Sequence, residues 1–437
     1  MERTLALPSV PPLNTLVFTT VMKCWWRQQP LPELVGTSQK IIPLTLRRCS
    51  SGVRRVGVAG WVIVSGRWDV AIVGAGPAGC AAALGALRAR PQARVLLLDS
   101  AAFPRDKVCG DGIAPPALDV LAALGVDRDE LVAGCAPVQR LRLRAPGGAV
   151  AARAMRRPGF VVPRAVFDER LVRAALAAGA VLRRHAVRRL NVGAHEVVLD
   201  DGTAAAVVIG ADGAESVVRR ALGVRPVKPG RVALAIRGYA PAGRWPAGEQ
   251  LLRMTDVRWP AYAWVFPIGD GRANVGYGEI LHGSPVSRAH LEQRLNLLVP
   301  GAAAATSLRA HRLPLSTGRS AFARGRVLLA GDAAALINPL TGEGIFYAVA
   351  SGALAGAAAV GPEPAPAYLR ALRERLGRHL RHTDVAAALT RSPRMINAAV
   401  AAASQDQRAF DAFVELGLGD GRLDARGLLR TARHLLF

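Results

Sequence analysis

Gly74-Ala75-Gly76-Pro77-Ala78-Gly79 is the run whose residue types and spacing most clearly serve chemistry. A first glycine makes a tight turn, a second lets backbone approach a pyrophosphate, and a third lets a helix lie close on a strand. The run sits between an apolar stretch, residues 69–73, that reads as a buried strand, and a helix predicted over residues 77–90. The next strand, residues 95–98, leads to Asp99, twenty residues beyond Gly79, where a carboxylate can accept both hydroxyls of a ribose. Gly74, Gly76, Pro77, Ala78, Gly79 and Asp99 are therefore the expected cradle of a dinucleotide, with its phosphates at a helix N-terminus.

Two further segments bear on which dinucleotide. Gly210-Ala211-Asp212-Gly213 follows an apolar strand and precedes Ser216 and Arg219. Gly331-Asp332-Ala333-Ala334 follows Val327-Leu328-Leu329-Ala330 and leads into Asn338-Pro339-Leu340-Thr341-Gly342-Glu343-Gly344. These segments resemble FAD-dependent enzymes of the p-hydroxybenzoate hydroxylase-type fold. The resemblance implies FAD, bound by Asp212, Gly213, Gly331 and Pro339 among others, with Asp332 on the ribityl chain. It also implies that backbone N–H groups of the turn from Gly342 through Gly344 to Ile345, at a helix start, face negative charge on the reduced ring. Arg164, opening a helix that includes Phe167 and Asp168, matches the flavin-contacting arginine of such enzymes. Read from the residues alone, Asp332 also suits a helix cap before Ala333, and Arg164 an exposed helix-start arginine.

A narrower resemblance, to the geranylgeranyl reductase family, lies in three segments. Phe103-Pro104-Arg105-Asp106-Lys107-Val108-Cys109-Gly110-Asp111-Gly112 is similar to that family's Pro-x-x-Lys-x-Cys-Gly loop. Pro260-Ala261-Tyr262-Ala263-Trp264-Val265-Phe266-Pro267, followed by Asn274-Val275-Gly276-Tyr277-Gly278, is similar to its substrate-domain signature, and Leu416-Gly417-Leu418-Gly419-Asp420-Gly421 resembles the tail of some members. The resemblance implies reduction of carbon–carbon double bonds in an isoprenoid or isoprenoid-quinone substrate, with Lys107 at the cofactor and Cys109 close to the flavin as a catalytic group. It implies NAD(P)H as electron donor, although no second dinucleotide fingerprint is present, so the nicotinamide binds transiently or another reductant serves. Tyr262, Trp264 and Phe266 alternate on one strand and share a face, which suits an apolar, extended substrate and equally suits packing between domains. Lys107 near Cys109 is expected to lower the thiol's pKa, the alternative being a small buried residue without chemistry. An O₂-dependent hydroxylase of an aromatic or polyketide-like metabolite remains the alternative enzyme, and a flavin-bound lipid escort the alternative non-enzyme. A halogenase fits less well, because no lysine matches that class's catalytic one.

The elements needed to hold these residues define a mixed α/β fold. A Rossmann-type FAD-binding domain is expected in two parts, residues 67–231 and 321–361. Between them falls a mostly antiparallel substrate domain, residues 232–320, and after them a helical region, residues 362–437. Short substrate-side strands are expected inside the first part, near residues 139–143. Residues 1–66 carry Pro clusters and no periodicity, so they are expected to be an unstructured leader, compatible with a translation start at Val62 or Val64.

Composition sets the outer limits. The chain has 437 residues and a net charge of +25, but only four of its 57 basic residues are lysine, and the arginines are scattered without interleaved aromatics. That is codon drift rather than a nucleic-acid surface. Five separated cysteines and eight scattered histidines suggest neither disulfides nor a metal site, and Cys80 reads as packing. Residues 4–22 contain three prolines and residues 344–362 read as a buried core helix, so no span and no signal peptide is expected. A cytoplasmic protein follows, with candidate peripheral contact at the inner face of the membrane, an apolar small-molecule or lipid substrate, and an oligomeric state left open. Residues 368–382 place Leu369, Leu372, Leu376 and Leu380 on one helical stripe flanked by Arg370, Arg373, Arg375, Arg378 and Arg381. That stripe either packs on the core or docks on an anionic bilayer.

Overall fold

The computed structural model describes residues 57–58, 61–62 and 67–423, apart from 244, 258–259, 284 and 317–321. The expected leader, with Cys24 and Cys49, falls almost wholly outside the described residues. Within it, Gly57–Val58 pairs antiparallel with Trp61–Val62, a short ladder where no strand was expected. The chain divides into two compact units at residue 65, and all that follows concerns the second.

β1 (Trp68–Val73), α1 (Pro77–Ala89) and β2 (Val95–Asp99) form the predicted β-α-β unit. All of β1 but Asp69, and all of β2, is buried, the near-continuous apolar run of a strand covered on both faces. Pro77 pre-sets the first turn of α1, where its missing N–H costs nothing. Then come β3 (Gly112–Ile113), α2 (Pro115–Ala123), α3 (Arg128–Val132), β4 (Pro137–Arg144), β5 (Val150–Val161) and α4 (Arg164–Ala177). They are followed by β6 (Val181–Arg184), β7 (Leu190–Val192), β8 (Val197–Leu199), β9 (Ala204–Gly210) and α5 (Val217–Ala221). A run of strands, β10 (Val232–Pro241), β11 (Glu249–Thr255), β12 (Ala261–Pro267) and β13 (Arg272–Ile280), leads to α6 (Arg288–Leu298) and β14 (Thr306–Pro314). The chain ends in β15 (Ala323–Arg324), β16 (Val327–Leu329), α7 (Ile345–Ala359), α8 (Pro364–Leu389), α9 (Pro393–Gln405) and α10 (Gln407–Leu418).

One sheet runs β15-β16-β9-β1-β2-β6, with β7 and β8 as a side hairpin on β9. Its neighbours β16, β9, β1, β2 and β6 are parallel. Register places Gly210 beside both Val73 and Leu329, so the turns after β1, β9 and β16 leave the sheet side by side. The second sheet runs β14-β10-β13-β12-β11-β4-β5-β3 and is antiparallel except where β4 meets β11. Three of its strands precede residue 162, so it is assembled from both sides of α4 in sequence, and β5 is 12 residues long rather than short.

α7 is enclosed along most of its length, as expected for residues 344–362. It meets α1 through Gly85, Gly352 and Gly356, where bare backbone lets the two helices approach. Among the described residues no helix is long and apolar enough to cross a membrane. On α8, Leu372, Leu376 and Leu380 are buried and Leu369 is half-buried, so the stripe packs into the core while the five arginines stay exposed. α9 and α10 cover β4 and β5, with Ile396, Val400 and Phe410 in one cluster with Leu141 and Leu143.

Candidate active site

The three glycine-bearing turns and the end of β2 converge on one cavity of about 1050 Å³. This is the carboxyl-end edge of a parallel sheet, where open α/β folds bind ligands. Gly74, with φ near +100°, lies so close to the Ala211 carbonyl that no side chain fits, and a Cβ on Gly79 would overlap the Gly74 carbonyl oxygen. Gly76, Pro77, Ala78, Asp99, Asp212 and Gly213 line the cavity, whereas Gly79 and Gly331 support it from behind.

Charge at this edge is more elaborate than the motif implies. Asp99 accepts the Ala75 N–H at 2.9 Å and the Ala101 N–H at 3.0 Å. Arg105 bridges Asp99 at 3.4 Å and Asp168 at 3.1 Å. Arg164 is 4% exposed and holds the enclosed Asp168 through two hydrogen bonds of 2.7 and 2.8 Å. It is therefore a buried, bidentate partner and not an exposed helix-start arginine. Burial opposes its charge, and Asp168 more than offsets that, raising its pKa. Asp212 serves the protein itself: it accepts from Ser216 Oγ at 2.6 Å and from the N–H groups of Val217 and Val218, fixing the start of α5.

Asp332 lies in a 3₁₀ turn, Gly331–Ala334, whose cap residue is Ala330, so its carboxylate is no helix cap. It pairs instead with Lys107 Nζ at 3.2 Å. Burial works against its ionisation, but Lys107 and His311 outweigh it and lower its pKa. His311 Nε2 is enclosed without a protein partner, and burial beside Lys107 pushes that imidazole toward its neutral form. Arg219 secures the same turn through the carbonyls of Asp332 and Ala333, both at 3.3 Å.

Lys107 thus faces Asp332 and not Cys109. Burial raises the Cys109 thiol's pKa, and the cation acting on it is Arg164. This corrects the expected depression by Lys107, which sequence proximity suggested and side-chain direction does not deliver. The Cys109 backbone is held from the second sheet: its carbonyl accepts from Arg237 Nε at 3.2 Å and Asn274 Nδ2 at 2.8 Å. Arg237, wholly enclosed on β10, also reaches Asp106 Oδ1 at 2.5 Å and the Lys107 carbonyl at 2.9 Å. Asp111 has φ near +61° and accepts from Tyr239 at 2.6 Å and Asn274 at 2.8 Å. Burial pushes its carboxyl up to about 6.

Tyr262, Trp264 and Phe266 share the cavity face of β12, while Ala261, Ala263 and Val265 pack on Leu291 and Leu295 of α6. Their ring centroids stand 6.0 and 6.5 Å apart in sequence. Trp264 Nε1 donates to Asn274 Oδ1 at 2.8 Å, joining this wall to the Cys109 loop. Two loops close on the wall. A Cβ on Gly110 would stand 3.2 Å from Phe266, and one on Gly342 would stand 3.0 Å from the Tyr262 hydroxyl. That hydroxyl donates to the Thr341 carbonyl.

Pro339, Gly342, Gly344 and Ile345 also line the cavity. The turn uses much of its own polarity, because the Gly342 N–H bonds the Asn338 carbonyl at 2.9 Å and the Phe346 N–H bonds Glu343 Oε1 at 2.8 Å. The N–H of Ile345 also favours the Glu343 carboxylate, so this side chain caps α7. Arg105, Asp111, Arg237, Tyr239, Asn274, His311 and Glu343 are the site residues that sequence reasoning passed over. Arg105, Asp111, Asn274 and Glu343 stood inside motifs already in view, whereas Arg237, Tyr239 and His311 did not.

Bare backbone at Gly74–Gly76, a helix N-terminus and a carboxylate at the end of β2 fit the phosphates and ribose of a dinucleotide, and the cavity stands at the upper end of the usual ~300–1,000 Å³ of a small-molecule pocket. Residues 67–237 match the FAD binding domain family. The menaquinone reductase of Mycobacterium tuberculosis is 34% identical over 340 residues, 71% of this chain and 81% of that protein. Digeranylgeranylglycerophospholipid reductase 1 of Methanopyrus kandleri is 34% identical over 311 residues, 67% of this chain and 80% of that protein. Among solved structures, a geranylgeranyl bacteriochlorophyll reductase-like protein of Thermoplasma acidophilum matches with TM-score 0.70 over 84% of this chain and 99% of its own, at 22% identity, a likeness of fold. Fold and site together define an FAD-dependent oxidoreductase. The chain belongs to the geranylgeranyl reductase family.

Proposed function

We propose that the protein saturates carbon–carbon double bonds of an isoprenoid or isoprenoid-quinone chain. The observation that carries this reading is the continuity of the cavity. It runs from the glycine turns, over Tyr262, Trp264 and Phe266, into an arm lined by Met155, Leu252, Met254, Ile396 and Phe413 under the C-terminal helices. An extended apolar chain gains from every part of that arm, at about 25 cal/mol per Å² buried. The reductase names of the two relatives at 34% identity point the same way.

In this reading Asp99 holds the ribose, Gly76 and the start of α1 face the pyrophosphate, and Asp212 and Gly213 edge the cofactor. Asp332, neutralised by Lys107, takes the ribityl hydroxyls, while Arg164 and the turn from Gly342 to Ile345 border the ring. Bound FAD supplies the hydride, with NAD(P)H as its electron donor. The aromatic wall orients the chain and keeps water away, and Cys109 stands near the reacting carbon. Access to a lipid substrate calls for peripheral contact with an anionic membrane at the cytoplasmic face, through exposed arginines.

Anaerobic mixing of the reduced holoprotein with a polyprenyl menaquinone or geranylgeraniol tests the reading. Reoxidation of the flavin absorbance, with product gaining two mass units per reduced bond, is the expected result. Turnover that occurs only with O₂ present, or no reoxidation by either probe, overturns it.

A further inference from the structure

Saturating a double bond takes a hydride and a proton, and a side chain in the cavity wall can supply the proton. Glu279 also lines the cavity but accepts from Tyr277 and pairs with His290; five further titratable groups stand near the aromatic floor. Asp111 is not among the lining residues, and it is committed to Tyr239 and Asn274. His311 belongs to the Lys107–Asp332 cluster. The Tyr262 hydroxyl is spent on the Thr341 carbonyl, and burial raises both its pKa and that of the Cys109 thiol, leaving weak acids. Glu343 remains. It lies on the loop that touches the Tyr262 hydroxyl, it lines the cavity, and among the described residues no basic side chain pairs with it.

We propose that Glu343 is a catalytic acid that gives its proton to the alkene carbon opposite the one receiving hydride. The inference rests on the double-bond reduction proposed above. The hydride pair forms one new C–H bond, and the π pair of the alkene forms the other with the Glu343 proton. The two electrons come from reduced FAD, which returns to FAD, and the carboxylate regains a proton from solvent. Phe346 and Ile345 at the start of α7 stabilise the carboxylate left behind, so the acid sits where its conjugate base is tolerated. Burial pushes the carboxyl up to about 7, so near neutral pH a substantial fraction carries the proton and can release it. The titratable groups it acts on are Tyr262 from β12, Cys109 from the loop before β3, and Tyr347 on α7, each raised mainly by burial and further by the Glu343 carboxylate.

Glu343→Gln and Glu343→Asp, with FAD bound, are compared with wild type in anaerobic reoxidation by polyprenyl menaquinone and geranylgeraniol. Glu343→Gln is expected to keep its FAD and its reduction by dithionite but to reoxidise at least ~100-fold more slowly, within the usual range for losing a general acid. Glu343→Asp is expected to recover part of that loss. Wild-type reoxidation should fall as pH rises through about 7, and infrared difference spectra should show a carboxyl titrating there that Glu343→Gln lacks. Wild-type rates in Glu343→Gln, absence of that carboxyl, or loss of FAD from both variants each overturn the inference. Failure of wild type to reoxidise with either probe defeats the parent reading instead.

Discussion

Asp332 and Asp111 show how two enclosed carboxyls in one molecule come to opposite states. Asp332 has Lys107 at 3.2 Å and His311 nearby, and its pKa falls despite burial. Asp111 is offered neutral donors by Tyr239 and Asn274, and desolvation wins, so its carboxyl rises to about 6. Asp332→Ala removes the acceptor at the cavity wall and leaves Lys107 uncompensated. The variant is expected to purify with little or no FAD, and fully yellow protein would refute the role. For Asp111 the sign follows from linkage. The unfolded chain releases this proton near ~3.9, the folded protein near 6, so unfolding sheds a proton between them. The group's contribution to stability is thus complete below about 4 and lost as pH rises through 6. Asp111→Asn, which tolerates the left-handed φ, should remove that fall. Denaturant titrations from pH 4 to pH 7 should show the wild-type curve descending relative to the variant, and parallel curves would sink the assignment. Glycines 74, 76 and 79 were legible in sequence because a tight turn and close backbone approach dictate their type, and Asp99 because it ends the strand that follows. Arg237 and Tyr239 were not, because they meet the Cys109 loop across more than a hundred residues and each alone looks like an ordinary strand residue; Asn274 stood in a quoted motif, but its bond to the Cys109 carbonyl is just as long-range.

Among the elements, α1 and α7 matter most for the site, since both begin at the cavity and they hold one another in place. A Cβ on Gly356 would overlap the Ala82 carbonyl, and one on Gly352 the Ala78 carbonyl. Gly356→Ala therefore forces two backbones apart, an overpacking that costs about 1–3 kcal/mol. The expected result is a lower midpoint of thermal unfolding together with reduced FAD content, because the N-termini of both helices move. An unchanged midpoint would mean that the helices yield without strain. The Ala- and Gly-rich run of α7 could be read as a core helix from composition, and β1, α1 and β2 from periodicity. β4 was expected as a short substrate-side strand, but its pairing and the length of β5 were harder to see. The β4 partner β11 lies about a hundred residues on, and a parallel pairing of that span leaves no local turn signal.

At the scale of the whole molecule, the excess of 57 basic over 32 acidic residues meets an apolar cavity that we assign to a lipid-like substrate. α8 brings the two together. Leu372, Leu376 and Leu380 are committed to the core, and Val385 and Leu389 near its end are its exposed large apolar side chains, too few for an inserting face. What it offers is charge: Arg370, Arg373, Arg378 and Arg381 are exposed, while Arg375 pairs with Asp420. Four arginines at ~1 kcal/mol each near an anionic surface give weak, reversible attachment without penetration. The protein should therefore co-sediment with phosphatidylglycerol vesicles and not with phosphatidylcholine vesicles. It should be released at about 1 M salt, where the screening length shrinks to about 3 Å. Replacing the four arginines by glutamine should weaken binding at low salt while leaving FAD content unchanged, because none of them lines the FAD cavity. A quadruple variant that sediments like wild type would move the contact elsewhere on the basic surface. Binding that survives high salt would mean that apolar insertion, and not charge, holds the protein at the membrane.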